Sequence, residues 1–152
     1  MAAKFGEGTV VIKRVFTAPR DLVWKAWTDP AMMAQWFGPR GFTIPECTLD
    51  VRVGGSLRIV MRGPDGNYYP MKGVFTEVVR PERLKFTNIA VDNDGNHLLE
   101  GETVVTFTEQ SGKTELVVKS HAVGMVPMAP QMLAGMEAGW TQSIDKLEEL
   151  VG

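Results

Sequence analysis

Few side chains in this sequence are equipped for covalent or acid–base chemistry. There is one cysteine, Cys47, and there are two histidines, His97 and His121. Cys47 stands in an alternating apolar pattern and reads as an inert core thiol rather than a nucleophile. His121 shares strand parity with Glu115 and Lys119, which reads as the solvent face, and His97 lies in a polar loop. Neither has a partner at i+4 or in another metal-ligand spacing, so no metal is expected. Asp50, Glu77, Glu100 and Glu102 could serve acid–base catalysis only if buried beside a partner. Asp50 with Arg52 reads instead as a same-face strand ion pair beside the Gly54-Gly55 turn. No G-x-S-x-G elbow, P-loop or dinucleotide fingerprint occurs, so no cofactor is expected.

The chemistry that the residues do favour is apolar contact. Met125, Met128, Met132 and Met136 are four of nine methionines within twelve residues. Methionine is flexible and polarizable, suited to an adaptable wall for an apolar ligand. The same spacing also suits plain core packing of one helix. Gly135 and Gly139, four apart, either leave room for a ligand or partner or allow close approach to a sheet. Trp24, Trp27, Trp36 and Phe37 cluster early in the chain, as a plug for one end of the core, as a pocket opening or as a dimer contact.

The 152 residues fit one domain, residues 1–152, with 44% hydrophobic and 22% charged side chains. A net charge of −2 offers no basic field for nucleic acid. No apolar run matches a secretory signal or a membrane span. A lone cysteine excludes an intramolecular disulfide and points to a reducing cytoplasm.

Elements that could position these residues follow from periodicity. Residues 9–16 are β-branched and predict a strand. Pro19 and Asp21 suit a helix start, with Leu22, Val23, Ala26 and Trp27 on one face. Asp29-Pro30 starts a second short helix over about 30–36, which Gly38-Pro39 ends. The period then changes to two. Cys47, Leu49, Val51 and Val53 alternate with polar residues, and further strands follow around Leu57–Met61, 69–79, 83–90, 102–109 and 113–122. Short turns between them predict antiparallel pairing. Met132, Met136, Trp140, Ile144 and Leu147 then form one stripe on a helix of about 128–150. An antiparallel sheet this large curls and needs cover, and the last helix is the only element large enough. The expected class is α+β, a helix-grip with a pocket between sheet and helix.

The sequence also resembles a known superfamily. The resemblance is carried by Arg14-Val15-Phe16-x-Ala18-Pro19, Val23-Trp24-x-Ala26-Trp27-Thr28-Asp29-Pro30, Gln35-Trp36-Phe37-Gly38-Pro39, Asp50-x-Arg52-x-Gly54-Gly55, Gly63-Pro64-Asp65-Gly66, Pro81-x-Arg83-Leu84 and Gly139-Trp140. These blocks are similar to the START-like (SRPBCC, Bet v 1-like) proteins, in the branch of the activator of heat-shock protein 90 ATPase. The resemblance implies the helix-grip fold and, in some members, a chaperone partner in stress response. The fold itself hosts carriers, receptors, cyclases and cochaperones, so function rests on the site.

Strand parity completes the expectation. Leu57, Ile59, Met61, Phe75, Leu84, Phe86, Val105, Phe107, Leu116 and Val118 should face the helix, with Asn88 and Ser120 as polar handles near strand ends. The expected pocket takes Trp36 and Phe37 at its opening. Met61, Phe75, Phe86, Phe107 and Val118 come from the sheet, and Met128, Met132, Met136 and Trp140 from the helix. A small hydrophobic or amphipathic molecule is the expected occupant. The competing readings are a cochaperone-like interaction module, a homodimer through the short-helix aromatics, and a cyclase- or hydrolase-type enzyme with a pocket carboxylate.

Overall fold

A computed structural model describes residues 5–152. The first strand, β1 (Glu7–Phe16), leads into two short helices, α1 (Arg20–Thr28) and α2 (Pro30–Trp36). Pro19 is the N-cap of α1, one place earlier than its predicted position, and Asp21 lies in the first turn. Asp29 caps α2, its side chain accepting from the Ala31 N–H at 2.9 Å, and Pro30 follows at the helix start. Six strands come next: β2 (Thr43–Leu49), β3 (Ser56–Arg62), β4 (Tyr68–Val79), β5 (Arg83–Val91), β6 (His97–Gln110) and β7 (Lys113–Gly124). The chain closes with α3 (Ala129–Ala134) and α4 (Met136–Val151).

The strands form one antiparallel sheet of seven in the order β1-β7-β6-β5-β4-β3-β2. β1 and β2 are its two edges. The helices lie across one face: α4 packs on β1 and on α2, and α2 packs on β2. One face is thereby covered and the sheet curls around its cover, which is the helix-grip arrangement.

Alternation holds as expected on the covered face. Leu57, Ile59, Phe75, Leu84, Phe86, Val105, Phe107, Leu116 and Val118 are all buried, and Met61 is half-buried against them. The sheet departs from strict alternation at a β-bulge between Phe75 and Glu77. Beyond it Val78, three residues from Phe75, packs on the same core. A bulge adds one residue and so inverts the parity.

Two expected elements are shorter than their patterns suggested. The strand through Val53 stops at Leu49, and Val53 is 67% exposed. Residues 50–55 turn back so tightly that a Cβ on Gly55 would overlap the Asp50 carbonyl oxygen. Asp50 and Arg52 do form the expected ion pair, at 2.8 Å, but on this turn rather than on a strand. The helix of about 128–150 is two helices interrupted at Gly135, whose φ of −89° and ψ of −5° lie outside helical values. Glycine is the weakest helix former after proline, so a break falls there most easily.

Candidate functional site

A cavity of about 200 Å³ lies between the covered face and α4. Its helix wall is Met136, Gly139, Trp140 and Ser143, the i, i+3, i+4, i+7 face of the first turns of α4. Its sheet wall comes from β3 to β7: Met61, Met71, Phe86, Asn88, Ala90, Leu99, Ser120 and Ala122. Its third wall is Phe37, Gly38 and Pro39, the turn that leaves α2. Met71, Ala90, Leu99 and Met136 are only half-buried, so the cavity has a mouth, while Phe86, Ser120, Ala122 and Ser143 are buried at its inner end.

Small residues create this space. Strand register sets Asn88, Gly101 and Ala122 in one row across β5, β6 and β7. The next row toward the mouth holds Ala90 and Leu99. A Cβ at Gly101 would overlap the His121 carbonyl oxygen, and one at Gly73 the Thr87 carbonyl oxygen. The backbones of neighbouring strands therefore approach here more closely than any side chain allows, as a strongly bent sheet requires. On the opposite wall Gly38 has φ +90°, and a Cβ there would come 2.9 Å from the Met61 sulfur.

The polar part of the cavity is a short chain of neutral hydrogen bonds. Thr103, fully buried on β6, donates its hydroxyl to Asn88 Oδ1 at 2.7 Å and lies 2.8 Å from Ser120 Oγ. Its single proton is used on Asn88, so Ser120 must donate to Thr103. Ser143 donates back to the Gly139 carbonyl at 2.9 Å. Among the described residues no carboxylate, imidazole, amine, guanidinium or thiol lines the cavity.

The structure brings together Phe37, Met61, Phe86, Asn88, Ser120, Met136 and Trp140 of the expected pocket set. The other six lie elsewhere. Trp36 is fully buried, donates its indole N–H to the Ala26 carbonyl at 2.9 Å and packs on Trp27, 4.7 Å between ring centroids. Phe107 stands edge-on to Trp24 at 5.3 Å, Phe75 edge-on to Phe86 at 5.9 Å, and Val118 is fully buried. These four fill the core instead of facing the space. Met128 is 56% exposed because it precedes α3 and caps it. Met132 lies on α3, and the break at Gly135 takes it off the stripe of α4. The aromatics Trp24, Trp27, Trp36 and Phe37 are all buried inside the chain, so they offer no dimer surface. Pro39, Gly38, Met71, Ala90, Leu99, Ala122 and Ser143 were not expected. Met71 shares strand parity with Phe75, Ala90 with Asn88 and Ala122 with Ser120, and that parity was their signal.

A layer behind the cavity holds its wall in place. Trp140 stacks on Trp27 at 6.2 Å and meets Phe37 edge-on at 5.8 Å. The buried Trp27 Nε1–H has no acceptor among the described residues. The turn after α2 is tied to α4 from outside. The Arg40 N–H donates to Gln142 Oε1 at 3.0 Å, Lys146 reaches the Pro39 carbonyl at 3.4 Å, and the Arg40 guanidinium pairs with Glu149.

The reactive groups lie away from the cavity. Cys47, half-buried on β2, has its thiol pushed up to about 11 by burial and stays protonated at neutral pH. His121 meets Thr9 at 2.7 Å and Glu7 at 3.2 Å, and His97 meets Glu100 at 2.6 Å. Among the described residues no three His, Cys, Asp or Glu side chains are grouped to hold a metal. No helix of the described residues is long and apolar enough to cross a membrane.

Comparison with known proteins places this geometry among relatives. The family model described as "Activator of Hsp90 ATPase homolog 1-like protein" matches residues 17–152. A crystal structure of a protein from Nitrosomonas europaea is 29% identical, with 93% of this chain and 92% of that one covered and a TM-score of 0.74. A solution structure of a protein from Arthrobacter aurescens is 26% identical, covering 94% and 85%, with a TM-score of 0.81. The AHSA1 protein of Silicibacter pomeroyi is 26% identical, covering 93% and 96%, with a TM-score of 0.78. No curated protein matches at a significant level.

Proposed function

We propose, on the premise that this chain belongs to the Activator of Hsp90 ATPase homolog 1-like family, that it is a binding protein for a small apolar or amphipathic molecule. The observation that carries this reading is the cavity itself. About 200 Å³ of space lies under the first turns of α4, with walls almost wholly of carbon and sulfur. A dry apolar cavity of about 150 Å³ is enough to hold benzene. The space here suits a one-ring compound with a short substituent, or a short acyl chain. Burial of roughly 200–300 Å² of apolar ligand surface would contribute about 5–7 kcal/mol, a dissociation constant of about 10–200 µM before ordering costs.

Trp140 forms part of the wall and stacks on Trp27, so occupancy should change tryptophan emission. Titration with a panel of one-ring compounds and C6–C8 esters, followed by fluorescence and calorimetry, is expected to give saturable binding with a negative heat-capacity change. Ala122→Met sends a flexible side chain into the space. It is expected to abolish binding while the protein melts no lower than the wild type. Binding that survives Ala122→Met, or no binding by any compound, would overturn the reading.

A cochaperone contact is the second reading, favoured by the family's own description. It predicts that the purified chain raises the ATPase rate of an Hsp90-class chaperone. An unchanged rate at saturating protein would count against it.

A further inference from the structure

We infer that the cavity selects uncharged molecules carrying one hydrogen-bond-accepting oxygen, which docks on the Asn88 amide, and that it rejects carboxylates. The inference rests on the proposed binding function and adds the chemical class of the ligand.

Hydrogen-bond stoichiometry carries it. Asn88 Oδ1 is occupied by the Thr103 hydroxyl at 2.7 Å, and Thr103 in turn receives the Ser120 proton at 2.8 Å. The amide orientation is thereby set by two buried hydroxyls: the oxygen points to Thr103 and the nitrogen lies over Gly101. A Cβ at Gly101 would come 2.9 Å from Asn88 Nδ2, so the glycine leaves the space that the amide nitrogen uses. Among the described residues no acceptor takes the two N–H groups of Asn88. Trp140 carries the other uncommitted side-chain donor of the lining, its indole N–H. The hydroxyl protons of Ser120 and Ser143 are both spent, on Thr103 and on the Gly139 carbonyl. The side chains of the lining therefore offer donors without a matching ligand acceptor, and the donors sit on neutral groups.

Charge decides the rest. Among the described residues no Lys, Arg or His lines the cavity. A carboxylate placed there would lose its water and gain no cation, which is far more costly than leaving it in solvent. A ketone, ester or amide oxygen loses less on desolvation and recovers a hydrogen bond from Asn88.

Three probes of nearly equal shape test this: acetophenone, α-methylstyrene, in which a CH₂ group replaces the carbonyl oxygen, and benzoate. Each is titrated into the wild type and into Asn88→Leu. Acetophenone and α-methylstyrene are expected to bind the wild type, and benzoate is not. In Asn88→Leu acetophenone should weaken about tenfold while α-methylstyrene holds or tightens. The infrared carbonyl band of bound acetophenone should lie at lower frequency in the wild type than in the variant. Asn88→Leu combined with Thr103→Val serves if the single leucine variant does not fold. It removes the amide donors together with the hydroxyl that leucine would strand, and it should weaken acetophenone and keep α-methylstyrene. If both aromatic probes bind but Asn88 substitution changes them alike, the selectivity is overturned and the cavity reading stands. Benzoate binding as tight as acetophenone overturns it too. If no probe binds the wild type, the cavity reading falls and takes this inference with it.

Discussion

Single side chains decide whether the cavity has a polar end. Thr103 is the hinge of that chemistry, since it holds both Asn88 and Ser120 while having no contact with solvent. Thr103→Val keeps the shape and removes the hydroxyl, leaving the Asn88 oxygen without its donor and the Ser120 proton without its acceptor. A loss of about 1–3 kcal/mol is expected in urea unfolding, with an unchanged fold by circular dichroism. A loss below a few tenths would mean that the hydroxyls find other partners. Asn88 and Ser120 were legible as inward-facing polar residues because β-strand parity is a local property. Thr103 shares that parity, yet a threonine in a strand is unremarkable by composition. Only the register that sets it opposite both Phe86 and Ser120 marks it as the bridge.

Elements decide where the space lies, and they do so through glycines and alanines. Gly101 on β6 and Gly139 on α4 differ in physical role. A Cβ at Gly101 meets the His121 backbone oxygen, whereas a Cβ at Gly139 meets only Pro39 Cγ at an ordinary 3.7 Å. Gly101→Ala is therefore expected to destabilise by about 1–3 kcal/mol, because backbone must move. Gly139→Ala is expected to stabilise by up to about 1 kcal/mol, since alanine is the better helix former. It should also weaken ligand binding by narrowing the mouth. Thermal melts of the two variants check the opposite signs, and equal shifts would refute the assignment. The break at Gly135 belongs to this scale as well. The helical stripe was readable through Met136, Trp140, Ile144 and Leu147, but its start at Met132 was not, because that residue lies on α3. Spacing records that residues could share a face, and a glycine between them lets the backbone decide otherwise.

At the scale of the molecule, α4 is fastened at its C-terminal end and lies over space at its N-terminal end. Arg14 on β1 donates to Asp145 at 2.8 Å and to Glu148 at 2.9 Å, and Arg40 pairs with Glu149. Thr17 takes the last carbonyl, that of Gly152, with both its N–H at 2.9 Å and its hydroxyl at 2.7 Å. This arrangement carries a pH signature. The Arg40 hydrogen bond holds the Glu149 carboxyl below the usual glutamate range, and the Tyr69 and Asn96 side chains do the same for Asp65 and Asp92. Groups that hold protons less tightly when folded stabilise the fold above their unfolded values, and that contribution is lost as pH falls through the folded ones. The melting temperature is expected to fall once the pH drops below the ordinary glutamate value of 4.5. Arg40→Ala should flatten that acid dependence, and so should high salt, because the pair is exposed. An identical acid profile in Arg40→Ala would remove Glu149 from the account. The sequence by itself determined the element order, the helix-grip class and the inward face of nearly every strand. These depend on period, turn chemistry and capping, which act over a few neighbouring residues. Tertiary structure alone decided which inward residues line a space and which fill the core. A cavity is what remains when side chains from five strands, one turn and one helix are packed together, and its makers here include Ala90, Gly101 and Ala122. Residues that act by being small leave no apolar signal along the chain.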